Sequence, residues 1–436
     1  MKREVPAQHH KALTTIGDCV RGALCALALV TSYNARISAQ TTVVIPQRTS
    51  RGPAGIIVSR HSATAMDRAP GFILAPQPSV IFGGADVDPT FDLTKVRDVL
   101  LRRDGSLVAN VANVGLLAFA PTGKPSGLLA KWGNGPDEVL SGRLAPALGD
   151  TLLYLDTGNS RIAWITASGK LAKLIPISSR LPGLASTPLG ELPNHEVVVT
   201  SAGLYRESQL SEKAKKTRSS AIVVALPRTG PARQLFAMPD LNLAALPAPG
   251  TKGTIITHLA FRYAPQARLA LFDGSIVSGT GDSFDLEFRD STGNVFRSIG
   301  VSRPRTPVPT TTKRHDIDED MSMLSRDLPK NAQFREERLD LVRNTPFTDA
   351  LPAFSRIFGG NQDVLWVLDA TTRSDTVWTA TGFNRGGAIV GRLQGHGAYG
   401  PESITDRSAL IRRVDRDGVV SFALYRIIPR TTTGRR

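Results

Sequence analysis

Asp156-Thr157-Gly158-Asn159-Ser160-Arg161-Ile162, continued by Ile165 and Gly169-Lys170, decides the fold because its pattern occurs twice. Sliding the chain back by 46 residues brings Asn110, Asn113, Leu116, Phe119 and Gly123-Lys124 onto the same positions. Asp104-Gly105-Ser106-Leu107 precedes the earlier copy, and Gly149-Asp150-Thr151-Leu152-Leu153 the later one. The pattern predicts a strand ending at Asn110 or Asp156. A turn follows in which Asn113 or Asn159 takes positive φ. A second strand carries Leu116 and Phe119, or Ile162 and Ile165, spaced by three across a turn or bulge. Gly123-Lys124 or Gly169-Lys170 then turns the chain again. A period of about 40–50 residues with several strands per unit marks propeller blades.

Outward from this repeat, short β-branched and large apolar runs continue. They fall at residues 79–82, 96–101, 151–155, 196–200, 221–226, 267–272, 364–368 and 421–427. Asp104-Gly105, Gly149-Asp150, Ser168-Gly169, Asp273-Gly274 and Asp417-Gly418 separate them as turns. Leu152-Leu153-Tyr154-Leu155 and Ile222-Val223-Val224-Ala225-Leu226 do not alternate, so both faces of these strands need cover. Crossover helices are missing between them, and the gaps are hairpin-sized. Antiparallel sheets sandwiched between neighbouring sheets, as in a β-propeller, satisfy both conditions.

One helical insertion is expected near residues 310–345, after Pro304, Pro307 and Pro309. Its two stretches are Asp316 to Asp327 and Asn331 to Arg343, capping the outside of the β body. Residues 40–77, rich in Thr, Ser, Pro, Arg and Gly, read as a linker or weakly structured arm. The propeller domain is expected over 78–430.

The N-terminus reads as a signal peptide over 1–39. Lys2, Arg3, Lys11 and Arg21 form its basic region, Gly22 to Ser32 its apolar region, and Gln40 the mature start. The apolar run is shorter than the about 20 residues of a membrane span. Both cysteines, Cys19 and Cys25, leave with it, as an oxidising compartment favours. A secreted or periplasmic protein is expected. The full chain carries +15. Loss of five Lys/Arg and two acids leaves the mature chain at +12. That excess suits anionic partners. The one dense basic run, Lys213 to Arg218, sits in a polar stretch read as a solvated loop without stacking aromatics, so no nucleic-acid partner is expected.

Asp156 to Ile162 resembles the D-x-x-N-x-R-I core of NHL repeats. Gly133-Asn134-Gly135-Pro136-Asp137-Glu138-Val139 is similar to the G-x-G-P-x-E-F stretch before it, with Asp137 and Val139 in place of Gly and Phe. The earlier repeat has Gly115 where the Arg belongs. More widely, the chain resembles bacterial secreted six-bladed β-propeller proteins over about residues 79–428. The shared features are Val80-Ile81-Phe82-Gly83-Gly84, the Pro-rich helical insertion, and Leu351-Pro352-Ala353-Phe354 leading to Trp366. The resemblance implies an all-β, six-bladed propeller, with five or seven blades left open, and implies no particular activity.

His61, His195, His258, His315 and His396 stand apart, without a metal-binding spacing. Among them, His195 and His258 could meet at a propeller axis. Asp316-Ile317-Asp318-Glu319-Asp320 resembles a calcium loop in outline but lacks the sixth-position Gly and twelfth-position Glu. These acids instead suit the first turn of a helix. Asp282, Asp369 and Asp375 read as turn formers first. Trp132, Trp164, Trp366 and Trp378 read as inter-blade core rather than a glycan-binding groove. No G-x-S-x-G elbow, P-loop or dinucleotide fingerprint is present. The reading is a monomeric, non-enzymatic binding scaffold for a protein, peptide or glycan. It assigns no catalytic residue, metal site or cofactor. The alternative is a metal-dependent propeller lyase or hydrolase with an axial site.

Overall fold

The apolar runs become strands, and the runs without alternation are buried on both faces. Leu107–Val111, Gly115–Phe119 and Leu152–Asp156 have every residue buried. In this computed structural model the described residues are 48–52, 55–177, 186–204, 216–250, 256–329, 332–397 and 400–430. Met1–Val43 and Val44–Arg436 are separate units. The former and the signal segment read at 1–39 lie outside the described residues.

Among the described residues, five largely antiparallel sheets succeed one another. The first is built on Val96–Leu101, Leu107–Val111, Gly115–Phe119 and Pro125–Trp132. Gly142–Pro146, Leu152–Asp156, Arg161–Ile165 and Leu171–Pro176 form the second. The third begins Ser186–Glu191, Val197–Leu204 and Lys216–Leu226, then adds the long strand Arg233–Pro247. Arg268–Phe272, Ser275–Gly279, Phe284–Arg289 and Val295–Ser302 make the core of the fourth. The nine-stranded fifth has two halves. One runs from Arg356–Phe358 to Ile389–His396. The other joins Pro401–Ile404, Ser408–Val414 and Val420–Pro429 to Val80–Gly83 from the start of the domain.

Among the described residues, six hydrophobic clusters hold these sheets face to face. Val108 and Leu116 of the first sheet meet Leu152 and Tyr154 of the second. Leu153 and Trp164 then meet Val197 and Val224 of the third, and Val198 and Val223 meet Ile276 of the fourth. Phe284 and Ile299 pack on Leu365 and Phe383. Trp366 and Leu393 of one half of the fifth sheet meet Ile411 and Ala409 of the other. Finally Phe82, Leu410 and Phe422 return to Leu107 and Phe119 of the first. The packing closes on itself, and this is a β-propeller.

A recurrent turn joins the last two strands of several sheets. The N–H of Gly123, Gly169, Gly293, Gly387 and Gly418 donates to the carbonyl three residues back. Each of these glycines has φ between 82° and 91°. That is the three-residue hairpin with a glycine bulge. At Gly123 a Cβ would also sit 2.2 Å from the Ile81 carbonyl oxygen.

Several details differ from the sequence reading. The two repeats match in spacing but not in ladder register. Asn110 pairs with Leu116, whereas Asp156 pairs with Arg161. Asn113 takes the left-handed conformation (φ 64°) in the first copy, but Ser160 (φ 50°), not Asn159, takes it in the second. Asn159 is instead recruited by Asp156. The described part of 40–77 is not a weakly structured arm. Ile57–Ser62 pairs in parallel with Val295–Ser302, Gly71–Leu74 pairs in parallel with Ile389–His396, and α1 (Ala63–Asp67) lies between them. Their short apolar runs cover otherwise open sheet edges.

Helices α2 (Thr310–Asp327) and α3 (Arg335–Asn344) form the expected insertion. Helix α2 begins at Thr310, so Asp316 to Asp320 fall in its middle, not its first turn. They are held there by side chains. Buried Asp316 accepts from the Tyr263 hydroxyl at 2.6 Å. Asp320 pairs with Arg262 at 2.7 Å and with Arg373. Burial and Asp316 push the Tyr263 hydroxyl up to about 12. The solvated-loop reading fails from Lys216 onward, where the strand Lys216–Leu226 begins; Lys213 to Lys215 lie outside the described residues. Among those residues, no helix is long and apolar enough to cross a membrane.

The closing interface yields a prediction. Phe82 is fully buried where the last strand of the ring meets the first sheet. Phe82→Ala is expected to cost about 3–5 kcal/mol of stability. Ile81→Ala, on the exposed face of the same strand, is expected to stay within about 0.5 kcal/mol. Urea unfolding of both variants reads the difference.

Candidate functional site

The motif residues Asp156, Asn159 and Arg161 tie chain segments together. Fully buried Asp156 accepts the N–H groups of Leu140, Ser141 and Asn159 at 3.2–3.3 Å. Its second oxygen takes Asn159 Nδ2 at 2.8 Å and Arg161 Nε at 3.4 Å. Arg161 Nη2 donates to Gly135 O at 3.1 Å and to Glu138 O. Asn159 Nδ2 also reaches Gly133 O at 3.1 Å. The motif therefore fixes the 133–141 connection against the second sheet. In the earlier copy Asn110 does a smaller version of this, donating Nδ2 to Gly142 O at 2.9 Å.

A different group of polar residues converges. The first strand of each sheet neighbours the first strand of the next: 401–404 lies by 96–101, 96–101 by 142–146, 142–146 by 186–191, 186–191 by 268–272, and 268–272 by 356–358. These are the innermost strands. Near their N-terminal ends stand Arg97, Arg143, Arg268, Arg356 and Glu402. Arg97 and Arg143 are exposed. Arg97 Nη1 donates to Ser141 Oγ at 2.9 Å, and Arg143 Nη1 to Arg97 O at 3.0 Å. Arg356 Nη1 donates to Pro401 O at 2.9 Å and lies 3.5 Å from a Glu402 oxygen.

Arg268 is more enclosed, and its Nε is buried without a hydrogen-bond partner. Burial and the like charge of Arg356 push its guanidinium down to about 10, against the pull of Asp240. The acids nearby are engaged elsewhere. Asp240 accepts Ala267 N–H at 2.9 Å, and Asp98 accepts Leu144 N–H at 2.7 Å. Burial pushes the Asp98 carboxyl up, although Leu144 and Asn110 and the charges of Arg143 and Arg97 pull the other way.

Missing from the sequence reading was the significance of these arginines. They are dispersed along the chain, and no local run of basic residues marks them. The available signal is an arginine at the head of four short apolar strands: Arg97-Asp98-Val99-Leu100, Arg143-Leu144-Ala145, Arg268-Leu269-Ala270 and Arg356-Ile357-Phe358.

The histidines do not come together. His61 is buried on Phe383, with Nε2 2.8 Å from Gly387 O. His195 (φ 66°) places Nδ1 3.2 Å from Glu191 Oε1 and 3.0 Å from Arg228 Nη2. Burial opposes the Glu191 charge, but hydrogen bonds from Leu148, Arg228, His195 and Trp164 hold its carboxyl below the usual range. His258 lies half-buried in the third sheet, while His315 and His396 are exposed. Among the described residues no three His, Cys, Asp or Glu side chains gather as a metal site would require.

Asp375 accepts Thr372 N–H within its own turn at 2.7 Å. Asp282 accepts from Thr280 at 2.8 Å and Arg218 at 2.6 Å. Asp369 joins Arg303 (2.7 Å), Thr379 (2.7 Å) and Arg392 (2.9 Å). Both therefore do more than form turns. Trp164, Trp366 and Trp378 are buried, but Trp132 is 44% exposed and is not inter-blade core.

No family model and no curated protein sequence matches this chain. Among solved structures, it is similar to a protein described as exported from Bacteroides fragilis, at 8% identity and TM-score 0.45, covering 86% of this chain and all of the other. A DUF4221 family member from Bacteroides vulgatus aligns at 10% identity and TM-score 0.45, over 82% and 98%. Virginiamycin B lyase from Staphylococcus aureus aligns at 12% identity and TM-score 0.38, over 81% and 99%.

His61 gives a pH prediction. Burial outweighs its bond to Gly387 and holds the imidazole below its ordinary value of 6.5. The unfolded chain then takes up the proton at a higher pH than the folded chain. The contribution to stability is complete above about pH 6.5 and declines as pH falls toward the folded value. Urea midpoints at about pH 7.5 and 5.5 should therefore differ less in His61→Phe than in the parent; an equal difference removes His61 as the cause.

Proposed function

We propose that this chain is an exported, six-bladed β-propeller that binds its ligand without transforming it, at the end of the axis where the innermost strands begin. The four sheets and the two halves of the fifth would be the six blades, with Val80–Gly83 completing the last. NHL-like repeats would supply the second blade and, in reduced form, the first. Removal of residues 1–39 would release a secreted or periplasmic monomer whose folded domain spans about 78–430. The ligand is a protein, peptide or glycan.

The observation that carries this reading is the placement of Arg97 and Arg143 at the heads of one pair of neighbouring innermost strands and of Arg268 and Arg356 at the heads of another. Guanidinium groups bind and orient. Held at pH 7 in their charged form, they are poor proton-transfer groups. A metal-dependent lyase or hydrolase would draw support from ligands meeting at the axis, and no observation among the described residues favours it.

The test uses the chain beginning at Gln40, incubated with peptide and with neutral and acidic glycan libraries. The expected result is a retained component whose mass is unchanged after long incubation. A product that accumulates with time, and is lost on chelation, replaces this reading with the enzymatic one.

A further inference from the structure

Arg268 and Arg356 set two like charges near each other, one with a buried Nε that nothing satisfies. Such a pair opposes folding unless something else relieves it. Glu402 pairs with Arg356 at 3.5 Å but not with Arg268, near which Asp240 already accepts Ala267 N–H. No ion pair within 4 Å involves Arg97, Arg143 or Arg268 among the described residues. All four cations of the group are arginine, although the chain has lysines to use elsewhere. Arginine differs from lysine in its planar fork of donors, which matches two oxygens of one carboxylate or phosphate at once. Arg97 and Arg143 each have one Nη1 committed to a neighbouring segment, which fixes the guanidinium while its other donors stay available. Pre-positioned donors lose less freedom on binding.

We propose that the innermost-strand arginines form an oxyanion site, engaging carboxylate or phosphate groups of an acidic ligand through Arg143 and Arg268 from different sheets. This deepens the binding reading above and rests on it. The oxyanion would add to the pull of Asp240 at Arg268, whose Nε no hydrogen bond satisfies among the described residues, and use the other donors of Arg97 and Arg143. Its source is either a small free polyanion or the acid groups of an oligosaccharide.

Titration calorimetry on the chain from Gln40 separates these possibilities with three probes: citrate, pyrophosphate and trigalacturonate. Binding of at least one probe is expected, weakening steeply between 50 and 300 mM salt. Citrate or pyrophosphate as the tighter probe assigns a small free anion; trigalacturonate as the tighter assigns an acidic glycan. Arg268→Gln and Arg143→Gln should each weaken binding at least tenfold, and exposed Arg416→Gln should leave it unchanged. Thermal melting without ligand provides the second readout. Arg268→Gln removes a repelled charge, so its melting temperature should hold or rise while binding is lost. A fall in melting temperature with unchanged probe affinity makes Arg268 a structural residue and overturns the proposal. Retention of neutral library members, with none of the three probes bound, overturns the oxyanion site and leaves the scaffold reading standing. Failure of both libraries and probes overturns both.

Discussion

A strand with large apolar side chains on both faces cannot be left half-covered, and that condition organises this protein. Leu152, Leu153, Tyr154 and Leu155 show it most simply. Leu152 and Tyr154 pack toward the first sheet, and Leu153 and Leu155 toward the third. Each sheet is therefore both a core and a lid for its neighbours. The arrangement satisfies every sheet only if it returns to its start, and Phe82 is where it does so. The strand carrying Phe82 comes from the beginning of the domain but pairs with Val420–Pro429 near its end. Closure thus joins distant parts of the chain, a costly loop to form and one repaid by the final apolar interface.

Apolar pattern and turn chemistry were enough to read much of this. The non-alternating runs, the hairpin-sized gaps and the Gly123 and Gly169 turns all depend on local chemistry, and all appear where expected. What was not legible depends on competition between nearby groups. Identical spacing from Asn110 and Asp156 suggested identical turns. A carboxylate, however, can accept from Asn159 and Arg161 together, and this shifts the left-handed residue to Ser160. The repeat also fades after the second sheet for a physical reason. The long strand Arg233–Pro247 and the helices α2 and α3 lengthen the intervals between innermost strands. The period is lost from the sequence while the packing it marked persists.

The strands Ile57–Ser62 and Gly71–Leu74 illustrate a second limit. Each is short; Ile57–Ser62 has the four-residue strand Arg48–Arg51 as its hairpin partner, and Gly71–Leu74 pairs only with strands distant in sequence among the described residues. Both are held by strands more than 200 residues away, Ile57–Ser62 by Val295–Ser302 and Gly71–Leu74 by Ile389–His396 and Val420–Pro429. Composition alone sees Thr, Ser, Pro and Arg there. His61 belongs to the same segment, and its burial beside Phe383 follows from that distant pairing.

Burial of both sheet faces also restricts where polar chemistry can gather. Side chains in the middle of the strands are committed to the interfaces between sheets, so charge there must be locally satisfied, as Asp156 is. The exposed starts of the innermost strands escape that requirement while remaining close to one another. Positions far apart in sequence then act as one surface. Arg97 and Arg143 are 46 residues apart, the same shift that relates the two repeats, and Arg268 and Arg356 continue the pattern after the period has broken. Their placement at strand heads follows from the ring, whereas their shared identity as arginine does not: a solvated polar residue of any kind would satisfy the fold. Among the four, Arg268 is partly enclosed with an unsatisfied Nε and is repelled by Arg356, a cost that a neutral side chain would not carry. The fold therefore accepts at its axis a strain that an uncharged residue would have avoided, and a bound anion would relieve it.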